Sequence, residues 1–209
     1  PLPKYQLARA YLGRNNPNQD ATALEQAIAA KPGYLEAILA LGDLNLRSGK
    51  PQAVVNPLEE LVKKRPDLPE SRRLLAGAYV ALGRLDEAAT LYREQIKSTP
   101  EASEPYFLLG VILRQQQKTA EARQAFEKAS ELVPENLIAV DQLVELDLIE
   151  KNFDGAQKRV QKELTKKPDR AYVHFIEGKV YGEQRDWSRA ASCAEGGMPL
   201  PGWHTGEIA

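Results

Sequence analysis

The chain is poor in the residues that usually announce chemistry. Its 209 residues hold one cysteine, Cys193, and two histidines, His174 and His204. A single cysteine excludes an internal disulfide, and without a histidine beside it in sequence it lacks the usual means of forming a reactive thiolate. Neither histidine stands in a recognised metal-ligand spacing; His174 and Glu177 form one pair a helical turn apart, which reads as a half-buried filler and its neighbour. Glycine-rich phosphate loops, nucleophile elbows and Cys-x-x-Cys pairs are missing. Carboxylate pairs one turn apart, such as Asp141 and Glu145, more often form a solvated face than an acid–base site. The reading is a protein without catalytic residues, metal ligands or cofactor.

Charge of one sign is also missing, since 28 Lys and Arg stand against 29 Asp and Glu. No cationic excess exists to displace counterions from a phosphate backbone, so nucleic acid is not an expected partner. No uninterrupted apolar run approaches the roughly 18 residues of a membrane span. The chain starts at Pro1 rather than Met, which leaves the compartment open: cytoplasmic by default, with periplasmic or membrane-tethered locations not excluded.

What the chain does have is a period. Pro32, Pro66, Pro100, Pro134 and Pro168 succeed one another at one constant step of 34 residues. Each closes an apolar-periodic stretch, as expected because proline disfavours helical geometry in the residue before it. Between the prolines the apolar spacing is helical, with Leu35, Ile38, Leu39, Gly42 and Leu46 on one stripe and Tyr106, Leu109, Gly110 and Leu113 on another. A second stripe follows in each unit, as with Ala88, Leu91 and Tyr92, or Ala122, Ala125, Phe126 and Ala129. Ser48-Gly49 and Leu82-Gly83 separate the stripes, where glycine takes the left-handed conformation that caps a helix. Every unit is a predicted helix hairpin.

The segments "LLAGAYVALGRLDEAATLYREQIKSTP" and "YFLLGVILRQQQKTAEARQAFEKASELVP" resemble tetratricopeptide repeats, with small, aromatic and proline positions in order. The resemblance spans residues 1 to 195 and implies an all-α, right-handed α-solenoid of stacked helix-turn-helix hairpins. The repeats fall at about 1–34, 35–68, 69–102, 103–136, 137–170 and a truncated 171–195. The family's small residue opening the second helix falls at Val54, Ala88, Ala122, Ala156 and Ala190, and its aromatic partner at Leu58, Tyr92, Phe126 and Val160. Asn45 and Asp147 depart from the pattern by replacing a large residue, Gln95 and Glu163 by replacing a small one, and Glu177 by standing for leucine. Such polar residues must reach water or a partner. Residues 196–209, with Gly196-Gly197, Pro199, Pro201 and Gly202, cannot continue a helix, and read as a natural tail, a truncation or foreign sequence.

The resemblance also implies a working surface, the concave groove lined by successive first helices. Carried over position by position, it comprises Arg9, Leu39, Asp43, Arg73, Leu74, Phe107, Leu108, Val111, Arg114, Gln142, Tyr172 and Phe175. Their mixture of apolar and oppositely charged types points to an apolar or amphipathic peptide segment of a protein partner. The clamp of Lys, Asn, Asn, Lys and Arg by which some members hold a C-terminal carboxylate is lacking; Tyr5, Arg9, Ala40, Glu70 and Leu74 stand in its places. The expected function is a non-catalytic protein–protein interaction scaffold. Its alternatives are a self-assembling structural module, a homo-oligomer through groove and tail, and the recruiting arm of a larger enzyme.

Overall fold

A computed structural model describes residues 17–196. It contains eleven helices and, among the described residues, no strand: α1 (Pro17–Ala30), α2 (Leu35–Arg47), α3 (Gln52–Lys64), α4 (Pro69–Ala81), α5 (Leu85–Ser98), α6 (Ser103–Gln115), α7 (Thr119–Leu132), α8 (Leu137–Ile149), α9 (Phe153–Lys166), α10 (Ala171–Glu183) and α11 (Trp187–Gly196). The expected opening helix, with Arg9, and the tail from residue 197 lie outside the described residues. The last helix includes Gly196, one residue further than its glycine pair suggests.

The prolines rule the helix ends. Helices α1, α3, α5, α7 and α9 stop at Ala30, Lys64, Ser98, Leu132 and Lys166, each two residues before a proline of the period. The turns inside the hairpins repeat as faithfully. Residues 49, 83, 117, 151 and 185 all take positive φ, between 57° and 73°, although only the first two are glycine; the others are Gln117, Lys151 and Arg185. One residue later the backbone N–H donates back across the turn. Lys50 N reaches Asn45 O at 2.8 Å, Arg84 N reaches Tyr79 O at 2.8 Å, and Asn152 N reaches Asp147 O at 2.8 Å. This six-to-one bond with a left-handed residue before it is the Schellman closure of a helix C-terminus. At the N-termini, Asn136 and Asn152 accept from the backbone N–H of Ile138 and Gly155 at 3.2 and 3.1 Å, answering donors that the first turn leaves unpaired.

The hairpins group into two compact units, one ending at Ser98 and one starting at Thr99. In the first, Leu24, Ala27, Tyr34, Ala37 and Leu44 pack α1 on α2, while Val54, Leu58, Leu75, Ala88 and Tyr92 fill the layers of α3, α4 and α5. In the second, the cores are Leu109, Ala122 and Phe126, then Val144, Ala156, Val160, Val173, Ile176 and Val180. Every small residue that opens a second helix, from Val54 to Ala190, is buried, and so are Leu58, Tyr92, Phe126 and Val160. Close approach of α6 and α7 needs Gly110 in particular: a Cβ there would stand 2.6 Å from Phe126 Cε1. Phe126 is wholly buried, which contributes about 2–3 kcal/mol by area alone.

Two of the polar departures from the repeat pattern, Asp147 and Glu163, find charged partners inside the protein. Asp147, whose side chain is 2% exposed, accepts from Arg123 Nη1 of α7 at 2.6 Å and from Arg159 Nε of α9 at 2.8 Å. The same arginines reach outward to Glu150 at 2.7 Å and Glu127 at 3.2 Å. Glu163 pairs with Lys166 at 2.8 Å. Polar side chains at these joints are thus built into the packing as charge-paired contacts.

Candidate functional surface

Each unit presents its own row of first helices. In the first unit these are α2 and α4. Leu39 is half-buried, Asp43 pairs with Arg47 at 2.9 Å, and Arg73 stands 3.6 Å from Glu70. Both ion pairs lie one helical turn apart on exposed side chains, so they contribute little to stability and leave their charges available to solvent. Leu74 belongs to the interior instead. It is 5% exposed, and its Cδ1 lies 3.6 Å from where a Gly42 side chain would begin.

In the second unit the row is α6, α8 and α10. Phe107 is half-buried, its ring tilted 52° against Phe126 with centroids 5.7 Å apart. Leu108, Val111 and Arg114 are also half-buried on α6. On α8 the successive positions Ile138, Gln142, Glu145 and Ile149 share one face by their spacing, and the two isoleucines are 56% and 65% exposed. Ile138 and Phe107 line one depression of about 430 Å³ together with Val133 and Asn136. Ile149, Leu148, Gly182 and Trp187 line a second of about 310 Å³, with Trp187 50% exposed. Trp187 was not legible as part of this surface, because it opens a second helix and only the fold brings it beside α8.

A polar cluster joins α8 to α10, and its Glu145 and Lys179 line the second depression. The Tyr172 hydroxyl donates to Asp141 Oδ2 at 3.1 Å, and Lys179 Nζ donates to Asp141 Oδ1 at 2.7 Å and pairs with Glu145. The Tyr172 ring stacks on Phe175 with centroids 5.8 Å apart, and the Lys179 ammonium lies 5.8 Å from the Phe175 centroid. Burial works against the charge of Lys179, but the two carboxylates outweigh it and hold its pKa above the usual lysine value. Burial, then Asp141, raise the Tyr172 phenol. The cluster therefore holds Tyr172 and Phe175 as a fixed aromatic platform. Gln142 lies half-buried beside Asp141 on the chain.

The histidine and cysteine at the end of the second unit are tied into ordinary hydrogen bonds. His174 Nε2 lies 2.7 Å from Pro168 O and its Nδ1 3.4 Å from Glu177, which also accepts from Cys193 Sγ at 3.5 Å. Burial and the Glu177 carboxylate push the Cys193 thiol up to about 12, so it carries no thiolate near neutrality. Among the described residues no group of three His, Cys, Asp or Glu is placed to hold a metal ion, and no helix is long and apolar enough to cross a membrane.

This arrangement of hairpins has known counterparts. Residues 73–136 match the tetratricopeptide repeat family model, and residues 8–102 match that of the bacterial transcriptional activator domain. No curated protein matches the chain. Among solved structures, a tetratricopeptide repeat protein from Parabacteroides merdae superposes with a TM-score of 0.71 at 18% identity, over 92% of this chain and 76% of that one. The pilF protein of Pseudomonas aeruginosa gives 0.66 at 21% identity, over 92% and 87%. A thermophilic tetratricopeptide protein of Thermus thermophilus gives 0.59 at 18% identity, over 91% and 98%. Identities at this level carry the fold and nothing finer.

Proposed function

We propose that the chain, which matches the tetratricopeptide repeat family model over residues 73–136 and shares the fold of solved tetratricopeptide repeat proteins, is a non-catalytic scaffold whose first helices hold an apolar or amphipathic segment of another protein. Repeats of this type generally mediate protein–protein interaction. The observation that supports the finer reading is the exposure of large apolar side chains on the first helices of the second unit. Ile138, Ile149 and Tyr172 stay exposed, whereas Leu74 and Ile176, also on first helices, are buried. Isolated apolar residues on a surface need no explanation, but the two isoleucines border depressions also lined by Phe107 and Trp187.

The two isoleucines are eleven residues apart on α8, about 16 Å at the rise of a helix. A bound helix with apolar residues at matching separation, or an extended stretch of about five residues, would seat one side chain in each depression. Phe107 is the anchor of this surface, with Leu108, Val111, Tyr172 and Phe175 beside it and Arg114 and Gln142 meeting the polar groups of the ligand. In the first unit Leu39, Asp43 and Arg73 form the corresponding row, and Leu74 supports it from beneath. Aromatic and arginine residues dominate measured interface energies, so Phe107 should outweigh the charges at the edge.

The test is a peptide selected by display against the purified chain and measured by calorimetry on variants whose folding is checked by circular dichroism. Phe107→Ala should weaken binding by more than about 2 kcal/mol, while Glu36→Ala, which removes an exposed carboxylate in the first turn of α2, should change mainly salt dependence and on-rate. Selected peptides indifferent to both Phe107→Ala and Ile149→Ser, yet sensitive to changes on the second helices, would place the working surface on the other side.

A further inference from the structure

The slots between successive hairpins can be compared position by position. Residues 45, 79, 147 and 181 occupy the same place in α2, α4, α8 and α10, two residues before the helix ends, and each backbone carbonyl accepts the closing bond of its turn. Tyr79 fills its slot with a phenol whose hydroxyl donates to Glu59 Oε1 on the preceding second helix at 2.7 Å. The Arg84 guanidinium covers that ring at 4.4 Å from its centroid. Tyr181 does the same with Gln157, which donates to the phenol oxygen at 3.0 Å, and with Arg189 at 5.2 Å from the ring. Asp147 is too short to fill its slot, and Arg123 and Arg159 complete it.

Among the described residues, nothing comparable is supplied at Asn45. Pro57, twelve residues after the slot position, stands where Arg159 stands in the slot of Asp147. Ala21, twenty-four residues before it, stands in the place of Arg123 and Gln157. Asn45 and Pro57 both line a cavity of about 620 Å³ walled by α1, α2 and α3. Its walls include Ile28, Ile38, Leu41 and Leu61, and its polar groups include Asn45 and Glu25. Glu25 precedes Asn45 by the same twenty residues by which Glu59 precedes Tyr79. The cavity thus has a carboxylate at the repeat position that accepts a phenol in the next slot, and the short Asn45 where that slot has the phenol.

We propose that this cavity is a binding site for a tyrosine side chain presented by a segment of a partner protein. The apolar walls take the ring, and Glu25 accepts its hydroxyl as Glu59 accepts that of Tyr79. The site lies on the second-helix side of the first unit, so it is separate from the first-helix surface of the proposed function and does not depend on it. An amphipathic ring with few rotatable bonds is the side chain best suited to such a slot, since it brings large apolar area at low conformational cost.

The experiment is a methyl-detected NMR titration of the whole chain with p-cresol, with Ac-Gly-Tyr-Gly-amide and with Ac-Gly-Phe-Gly-amide. Expected are shifts confined to Ile28, Ile38, Leu41 and Leu61, and binding of the tyrosine peptide about fivefold or more tighter than of the phenylalanine peptide, because only the former offers a hydroxyl to a carboxylate. Glu25→Ala should bring the two peptides level, and Asn45→Tyr should fill the slot from within, abolish the shifts and raise Tm. Equal affinity of the two peptides for the native chain, or no shift at these four residues, overturns the proposal. Binding of p-cresol without binding of the tyrosine peptide would overturn the assignment to a protein partner. Asn45→Tyr that leaves the titration unchanged would show that the ligand sits elsewhere.

Discussion

Asp147 on α8 and Arg159 on α9 meet at 2.8 Å in a site where the carboxylate is almost wholly removed from water, and Arg123 of α7 completes the cluster from the other side. One carboxylate thereby ties three helices of two hairpins. A buried charge of this kind is costly to strand, even where the whole group contributes little against an apolar filling of the same volume. Asp147→Ala should therefore cost about 3–5 kcal/mol in urea unfolding. Replacing all three members together, with Leu at 147 and Met at 123 and 159, should come out near neutral. A triple variant as damaged as the single one would mean that the cluster stabilises the junction outright.

Glycines at the same repeat position should respond to alanine in opposite ways. At Gly110 a new Cβ would press on the Phe126 ring at 2.6 Å, and that ring is fully buried with no room to turn aside. Overpacking of this sort costs about 1–3 kcal/mol. At Gly42 the nearest atom is Leu74 Cδ1 at 3.6 Å, an ordinary contact, so Gly42→Ala should gain up to about 1 kcal/mol from helix propensity. Equal effects in denaturant would contradict the difference in approach of the paired helices.

The left-handed turn residue offers a third check. Gln117, Lys151 and Arg185 hold φ of 61°, 57° and 60° where glycine would carry no steric penalty. Each change to glycine should stabilise the chain by about 1 kcal/mol, and Gly83→Ala should destabilise it by about 1–2 kcal/mol. Denaturation midpoints that move the other way at Lys151 and Arg185 would show that their side chains contribute more than the backbone strain costs.

Alkaline pH should act through Tyr79. Burial, then the Glu59 carboxylate that accepts its hydroxyl, push the phenol from 10 up to about 12. A folded-state pKa above the unfolded one means that the native state keeps a proton the unfolded chain releases. The contribution is complete below about pH 10 and is lost as pH rises toward 12. Stability should fall with pH across that window, less steeply in Tyr79→Phe than in the native chain. Parallel slopes in the two would exclude Tyr79 as a source of the dependence.

Much of the fold is written locally. A proline two residues beyond a helix ends it by sterics alone, and a 34-residue spacing of such prolines fixes the number and length of the hairpins between them. Small residues at Ala88, Ala122, Ala156 and Ala190 announce the close helix contacts they make, because only a short side chain permits them. The turns at Gly49 and Gly83 are equally plain, whereas those at Gln117, Lys151 and Arg185 are imposed by the Schellman bonds around them against the preference of the residue.

The surface was only partly legible for a different physical reason. Repeat position says which residues are able to face a groove, but exposure depends on what the next hairpin brings. Leu74 goes into the core because Gly42 leaves it space, and Ile176 is likewise buried, while Ile138 and Ile149 remain in water. Asp147 looked like a misfit in its own helix, since the arginines that satisfy it are twenty-four residues before and twelve after it. The sequence by itself determined the helical hairpins, their period and the small residues at their close contacts. Tertiary structure alone decided which polar residues are paired, which apolar ones stay exposed and which slot is left open, because each depends on side chains brought together from different repeats.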